Sequence, residues 1–192
     1  MKVAIFGGSF NPPHVAHVLA CTLVLSLEDV DALVIVPTYR HPFAKALEPF
    51  DDRVAMCGLA MGWLPGVEVS RVEEELGGES RTLRTVQHLR AVHPDWRLRL
   101  VIGADVLSEA PRWFGFDEIA ALAPPIVLAR AGVSAPETAG GAAGVALPEV
   151  SSTRIRALLA AGDLATGTRL LPRRVLDYIR ERGLYGVAPG AP

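Results

Sequence analysis

Lysine is almost missing from this sequence of 192 residues: Lys2 and Lys45 are the only two among 19 basic side chains. Positive charge is therefore carried by arginine, and Lys45 stands out as the single lysine away from the N-terminus. Cysteine is as scarce. Cys21 and Cys57 sit singly inside apolar helical patterns, without Cys-x-x-Cys or Cys/His spacing. That gives neither a disulfide framework nor a zinc site, and both read as small core residues. Excess charge is lacking too: a formal net charge of -2 offers no basic surface for nucleic acid. No apolar run approaches the roughly 18 residues of a membrane span, and no charged leader precedes a long apolar stretch. What is left is a folded cytoplasmic protein with no membrane partner, half of its residues hydrophobic, of a length suited to one domain. Nothing in the sequence sets an oligomeric state.

What is present is an alternation of periods. Apolar residues 3–6 end at Gly7-Gly8 and read as a buried strand entering a tight turn. Helical spacing follows from 15 to about 27, and residues 32–36 are β-branched and apolar up to Pro37. Asp51 or Asp52 is expected to cap a helix running to about 63. Residues 67–72 alternate as a strand, 82 to about 92 are helical, 97–102 form a strand closed by Gly103, and 126–129 another. This order predicts an α/β fold: a Rossmann-like open parallel sheet flanked by helices, with ligands at the carboxyl ends of its strands. Residues 134–144, rich in Ala, Gly and Pro, read as a surface loop. A short strand near 145–147 and helices at 152–161 and about 173–182 come next, the last closed by Gly183. Residues 1–186 are thus one domain, its part from about 150 to 186 a small helical subdomain, and 187–192 a frayed tail.

The segment Gly7-Gly8-Ser9-Phe10-Asn11-Pro12-Pro13-His14-Val15-Ala16-His17 carries the first chemistry. Two glycines let a phosphate approach the backbone, and the N–H groups of the helix that follows attract an anion. His14 and His17 are three apart and share one face of its first turn. Imidazoles so placed can stabilise charge developing on a triphosphate. A pair at this spacing also suits a metal site, but no convergent carboxylate or cysteine lies nearby. No Gly-Lys-Ser/Thr follows, which excludes a Walker A loop. A second candidate is Ser151-Ser152-Thr153-Arg154-Ile155-Arg156, where a hydroxyl cap and a first-turn arginine form either a phosphate site or an ordinary helix start.

The first segment resembles the (T/S)-F-(D/N)-P-x-H-x-x-H signature of the HxGH nucleotidyltransferase superfamily, with Ala16 where glycine is usual. The second resembles that superfamily's S-S-T-x-I-R element. The resemblance continues through Gly103-Ala104-Asp105, Trp113 and the stretch from Leu171-Pro172 to Gly183-Leu184-Tyr185, and is there to the bacterial nicotinate mononucleotide adenylyltransferases. It implies ATP contacts from Gly8, Ser9, Phe10, Asn11, His14, His17, Gly103, Asp105, Ser152, Thr153 and Arg156, with His14 and His17 catalytic. It also implies contacts to nicotinate mononucleotide from Thr82, Asp105, Trp113 and, more weakly, Arg130. The family's S-Y-T-x-x-T element appears here as Ser80-Arg81-Thr82-Leu83-Arg84-Thr85, and its R-P-G as Arg130-Ala131-Gly132. Its P-P-H-(K/R) loop is replaced by a longer Pro37-to-Lys45 stretch, in which Arg40, His41 or, by preference, Lys45 is expected to hold the acceptor phosphate.

The implied reaction joins ATP and nicotinate mononucleotide, releasing pyrophosphate, with Mg2+ bound mainly through ATP and no protein metal site. Rival acceptors are nicotinamide mononucleotide and phosphopantetheine, and a non-catalytic nucleotide sensor is a rival from another class. Glu73-Glu74-Glu75 reads as a solvated loop, His88 and His93 as surface residues, and Trp63 and Trp96 as packing residues.

Overall fold

A computed structural model of the chain describes residues 1–42, 46–107, 113–129 and 145–189. Five segments rich in aliphatic residues form one all-parallel sheet: β1 (Lys2–Gly8), β2 (Ala32–Pro37), β3 (Val67–Val69), β4 (Arg97–Gly103) and β5 (Pro125–Leu128). Their order in space is β3-β2-β1-β4-β5. β1 pairs with β2 on one side and β4 on the other, so connections leave it in opposite directions. That reversal opens a crevice above the carboxyl ends of β1 and β4.

Successive strand residues point to opposite faces, and both faces of a parallel sheet are covered. Ala4, Leu33, Ile35, Val101, Ile126 and Leu128 belong to one core. Their neighbours Val3, Ile5, Val34, Val36, Leu100 and Val127 belong to the other. The first core is covered by α1 (Val15–Leu27), α2 (Phe50–Met61), α7 (Ser152–Ala160) and α9 (Arg173–Arg182). The second is covered by α3 (Val72–Leu76), α4 (Thr82–Val92) and α6 (Phe116–Leu122). Two short helices, α5 (Ala104–Leu107) and α8 (Leu164–Thr168), complete the order. The C-terminal helices therefore extend the core of the sheet domain: Ile155, Val175 and Ile179 pack in the same cluster as Ala16 and Leu33. Cys21 and Cys57 are free and fully buried there, and burial pushes the Cys21 thiol up to about 12. Among the described residues no helix is long and apolar enough to cross a membrane.

Several boundaries differ from the sequence reading, each for a local reason. Pro49, rather than Asp51 or Asp52, stands at the start of α2. Asp52 turns inward and accepts hydrogen bonds from the Tyr178 hydroxyl (2.8 Å) and the Arg182 guanidinium (3.1 Å), clasping α2 to α9. The strand expected to reach residue 72 stops at Val69, because the Ser70 hydroxyl accepts the Val72 N–H (3.1 Å) and turns the chain into α3. Glu73 to Glu75 thus lie on a helix, not in a loop. The strand expected near 145–147 reduces to one bridge, Leu147 N–H to the Ala129 carbonyl (2.9 Å). Val187 is buried and donates its N–H to the Leu184 carbonyl, so the frayed tail does not begin there. Gly183 does end α9, at φ 66°. The loop expected at 134–144 lies outside the described residues.

Candidate active site

β1 delivers Gly7 and Gly8 to the crevice, and the chain turns sharply through Phe10, whose φ of 44° lies in the left-handed region. The Phe10 ring folds back under the turn. A Cβ on Gly8 would meet that ring at 3.2 Å, which is why a residue without a side chain stands there. Phe10 and Phe6 pack edge to face, and Phe10 also meets the His17 ring edge-on at 5.0 Å.

His14 and His17 come together as expected. Their rings stack with centroids 3.7 Å apart, and His14 is 98 % removed from solvent, being only 2 % exposed. The His14 backbone N–H donates to Nδ1 of His17 (3.0 Å). A nitrogen that accepts carries no proton, so this bond assigns the His17 proton to Nε2 and makes that atom a donor. The helix start contributes less anion-binding backbone than the sequence reading expects. The Val15 N–H is taken by the Leu170 carbonyl (3.0 Å), and the His17 N–H by the His14 carbonyl (2.9 Å).

The second signature is bolted directly onto the first. Ser151 caps α7 by accepting the Arg154 N–H, as its residue type predicts. Ser152 then donates its hydroxyl to the Pro12 carbonyl (2.9 Å), and Arg156 donates one arm of its guanidinium to the Asn11 carbonyl (2.8 Å) and the other to the Thr153 hydroxyl (3.3 Å). Segments 140 residues apart in sequence thereby share one small region with the two histidines.

The residues expected to contact ATP through their side chains do not all face outward. Asn11 is buried, and its amide oxygen accepts from the Tyr185 hydroxyl (2.9 Å) and the Glu48 N–H (3.2 Å). Phe10 is equally buried. Both shape the loop from within. Sequence reasoning misses Arg53, only 1 % exposed, which donates to the Ser9 carbonyl (3.0 Å) and the Glu48 carbonyl (2.9 Å) and rests over the Phe50 ring. Burial pulls its guanidinium below the ordinary arginine value. Tyr185 is missed as a working residue as well, since nothing local in its sequence points to Asn11. Burial drives its phenol pKa up, which keeps the hydroxyl protonated as a donor.

Beside this cluster a cavity of about 440 Å³ opens between the ends of β1, β2 and β4. Gly8, Ser9, Thr82 and Trp113 line it, together with His41 and Phe114, the last 72 % exposed. A rim of two aromatic side chains and a hydroxyl suits a flat ring. Glu73 forms one wall. It accepts from the Tyr39 N–H (3.0 Å) and the Thr85 hydroxyl (3.3 Å), and burial raises its pKa against the opposing hydrogen bonds from Ser80, Tyr39 and Thr85. Its expected place in a solvated loop is thereby overturned.

Gly103 and Asp105 sit at the end of β4, off the wall of this cavity. A Cβ on Gly103 would collide with the Asp105 carboxylate, so the glycine is what lets that carboxylate lie back over the strand end. Arg40 is exposed, and its backbone is tied to Ser80 in both directions: Arg40 N–H to the Ser80 hydroxyl (3.1 Å), and Ser80 N–H to the Arg40 carbonyl (2.9 Å). Lys45 and Arg130 lie outside the described residues. His88 is half-buried on α4, and His93 stacks on Trp96 at 3.7 Å, away from both clusters; Trp63 is 62 % exposed.

The sequence matches a family model described as cytidylyltransferase-like over residues 5–158. It is 46 % identical over 187 residues to a protein of Anaeromyxobacter sp. (strain K) named probable nicotinate-nucleotide adenylyltransferase, covering 96 % of each chain. A protein of the same name from Myxococcus xanthus (strain DK1622) is 46 % identical over 191 residues, with 97 % and 96 % covered. In fold the chain resembles the Plasmodium falciparum nicotinic acid mononucleotide adenylyltransferase complexed with NaAD, at a TM-score of 0.82 and 17 % identity, covering 97 % of this chain and 98 % of that one. With its two signatures joined in space and this likeness running nearly end to end, the chain belongs to the cytidylyltransferase-like family and, within it, to the nicotinate-nucleotide adenylyltransferases.

Proposed function

We propose that this protein transfers the adenylyl group of ATP to nicotinate mononucleotide, giving deamido-NAD and pyrophosphate in NAD biosynthesis. The observation that carries this reading is the contact of Ser152 and Arg156 with the carbonyls of Pro12 and Asn11, next to the stacked histidines and a ring-sized cavity. The names of the two bacterial relatives agree with it.

The acceptor's 5′-phosphate oxygen attacks the α-phosphorus of ATP. A new P–O bond forms as the bond from the α-phosphorus to the bridging oxygen breaks, and the electron pair leaves with pyrophosphate. A phosphate monoester is already ionised at neutral pH, so no strong base is needed. Catalysis then consists of holding the two phosphates in line and stabilising the charge that builds between them. The His17 Nε2–H and the His14 imidazole are assigned to the ATP phosphates, and the Arg156 guanidinium closes the same side. Gly8 and Ser9, at the edge of the cavity, are assigned to the ATP phosphates, and Thr82 and Trp113, which also line it, are assigned to the pyridine ring. Gly103 and Asp105 are assigned to ribose or base, Thr153 to a phosphate beside Arg156, and Lys45 and Arg130 to the acceptor.

Among the described residues no group of three or more His, Cys, Asp or Glu is arranged to hold a metal ion. Magnesium enters this reading with ATP, bound through triphosphate oxygens, where it would neutralise charge on the leaving pyrophosphate.

The test is pyrophosphate release from ATP with nicotinate mononucleotide, nicotinamide mononucleotide, phosphopantetheine or no acceptor. Release should be fastest with nicotinate mononucleotide by at least about tenfold in kcat/KM. Equal or faster release with another acceptor would replace the substrate assignment. ATP binding without release under every acceptor would make the protein a sensor.

A further inference from the structure

Part of the cavity wall is built from two separate pieces of chain: the exit of β2, which contributes Thr38, His41 and Pro42, and the stretch from Ser80 into the first turn of α4 at Thr82 and Thr85. One carboxylate joins the two. Glu73 Oε2 accepts the Tyr39 N–H (3.0 Å) and Oε1 accepts the Thr85 hydroxyl (3.3 Å), while the Ser80 hydroxyl also hydrogen-bonds to the Glu73 carboxylate. Ser80 adds a second layer, because its hydroxyl oxygen accepts the N–H groups of Tyr39 (2.9 Å) and Arg40 (3.1 Å), and its own N–H returns to the Arg40 carbonyl (2.9 Å). Glu73, Ser80 and Thr85 all line the cavity.

An inward carboxylate serving two segments through three donors is an unusual use of charge. Serving as a solvated helix residue would require none of these partners, and a purely packing role would be filled by an apolar side chain. The donors that converge on Glu73 come from the chain pieces bearing His41 and Thr82, both of which line the cavity where the acceptor's ring is assigned. We propose that Glu73 is a positioning residue for the pyridine nucleotide: it sets the acceptor-binding wall by fixing the β2 exit loop against Ser80 and Thr85, without touching ATP. This rests on the adenylyl-transfer reading above.

The experiment compares the wild-type protein with Glu73→Ala and Glu73→Gln, measuring kcat and both KM values from pyrophosphate release, and unfolding midpoints alongside. Alanine leaves the three donors without their shared acceptor. It should raise the KM for nicotinate mononucleotide by about tenfold or more, leaving the KM for ATP within about twofold. Glutamine keeps one amide oxygen for the Tyr39 N–H, and the Thr85 hydroxyl can rotate to accept, so it should recover most of the loss. If Glu73→Ala does not fold, Ser80→Ala carries the test and is expected to raise the acceptor KM alone, with Glu73→Gln staying near wild type. Unchanged acceptor KM in Glu73→Ala, or in Ser80→Ala where the alanine variant at 73 does not fold, or ATP and acceptor KM rising together, would overturn the positioning role. A wild-type protein that releases no pyrophosphate with any pyridine mononucleotide would instead overturn the functional reading, so the two failures are told apart.

Discussion

His17 is a half-exposed ring whose Nδ1 is held by a backbone N–H. Because the His14 N–H occupies Nδ1, the ring presents Nε2–H as a neutral donor, already oriented before any nucleotide arrives. Such a donor acts most when charge develops, and little in ground-state binding. Replacing His17 with alanine should therefore lower kcat by about 10²- to 10³-fold, while ATP affinity measured by calorimetry changes by less than about threefold. A folded variant with unchanged kcat would remove His17 from the mechanism. The meeting of the two histidines is legible in sequence because positions three apart at a helix start face each other, here as N-cap and third residue of α1. Their tautomer is not, since it depends on a backbone N–H whose direction only the turned chain sets.

At the level of elements, α7 works as a brace. Its first turn meets the loop after β1 through Ser152 and Arg156, and the Arg156 fork spans two acceptors at once, Asn11 and Thr153. A lysine carries the same charge but has no rigid fork. Arg156→Lys should thus raise the KM for ATP by about tenfold and leave the acceptor KM nearly unchanged, a split read from two-substrate kinetics. The larger elements are readable beforehand where their periodicity is clear: residues 82–92 pair a buried stripe with a polar face. α3 is different. Five residues are too few to display a helical period, and three consecutive glutamates look like a solvated stretch. What draws Glu73 inward are partners 34 and 12 positions away, Tyr39 and Thr85, and no local pattern contains them.

At the level of the whole molecule, one face of the sheet carries helices from both ends of the chain. α1 and α2 from the first third share their core with α7 and α9 from the last. Four ties reach back from that last third to the loop after β1 and the start of α1: Ser152 to Pro12, Arg156 to Asn11, Tyr185 to Asn11, and Leu170 to Val15. The fold class and the placing of ligands at the strands' carboxyl ends follow from strand–helix alternation, whereas these ties do not, because each joins residues 140 or more positions apart. Tyr185→Phe keeps the packing and removes one buried hydrogen bond, leaving the Asn11 oxygen with the Glu48 N–H alone. It should cost about 1 kcal/mol in urea unfolding and lower kcat several-fold through a looser glycine turn. Loss of stability with kcat intact would mean that the tie holds the fold but not the site.

The Tyr185–Asn11 tie also orders events during synthesis. The glycine turn is made within the first twenty residues, and Glu48 and Arg53 can reach it soon after, whereas Ser152, Arg156 and Tyr185 are translated more than a hundred residues after it. A nascent chain can therefore form its early strands and α1 with the turn only half held. A chain interrupted before residue 152 carries the recognisable signature without the ties that complete its shape.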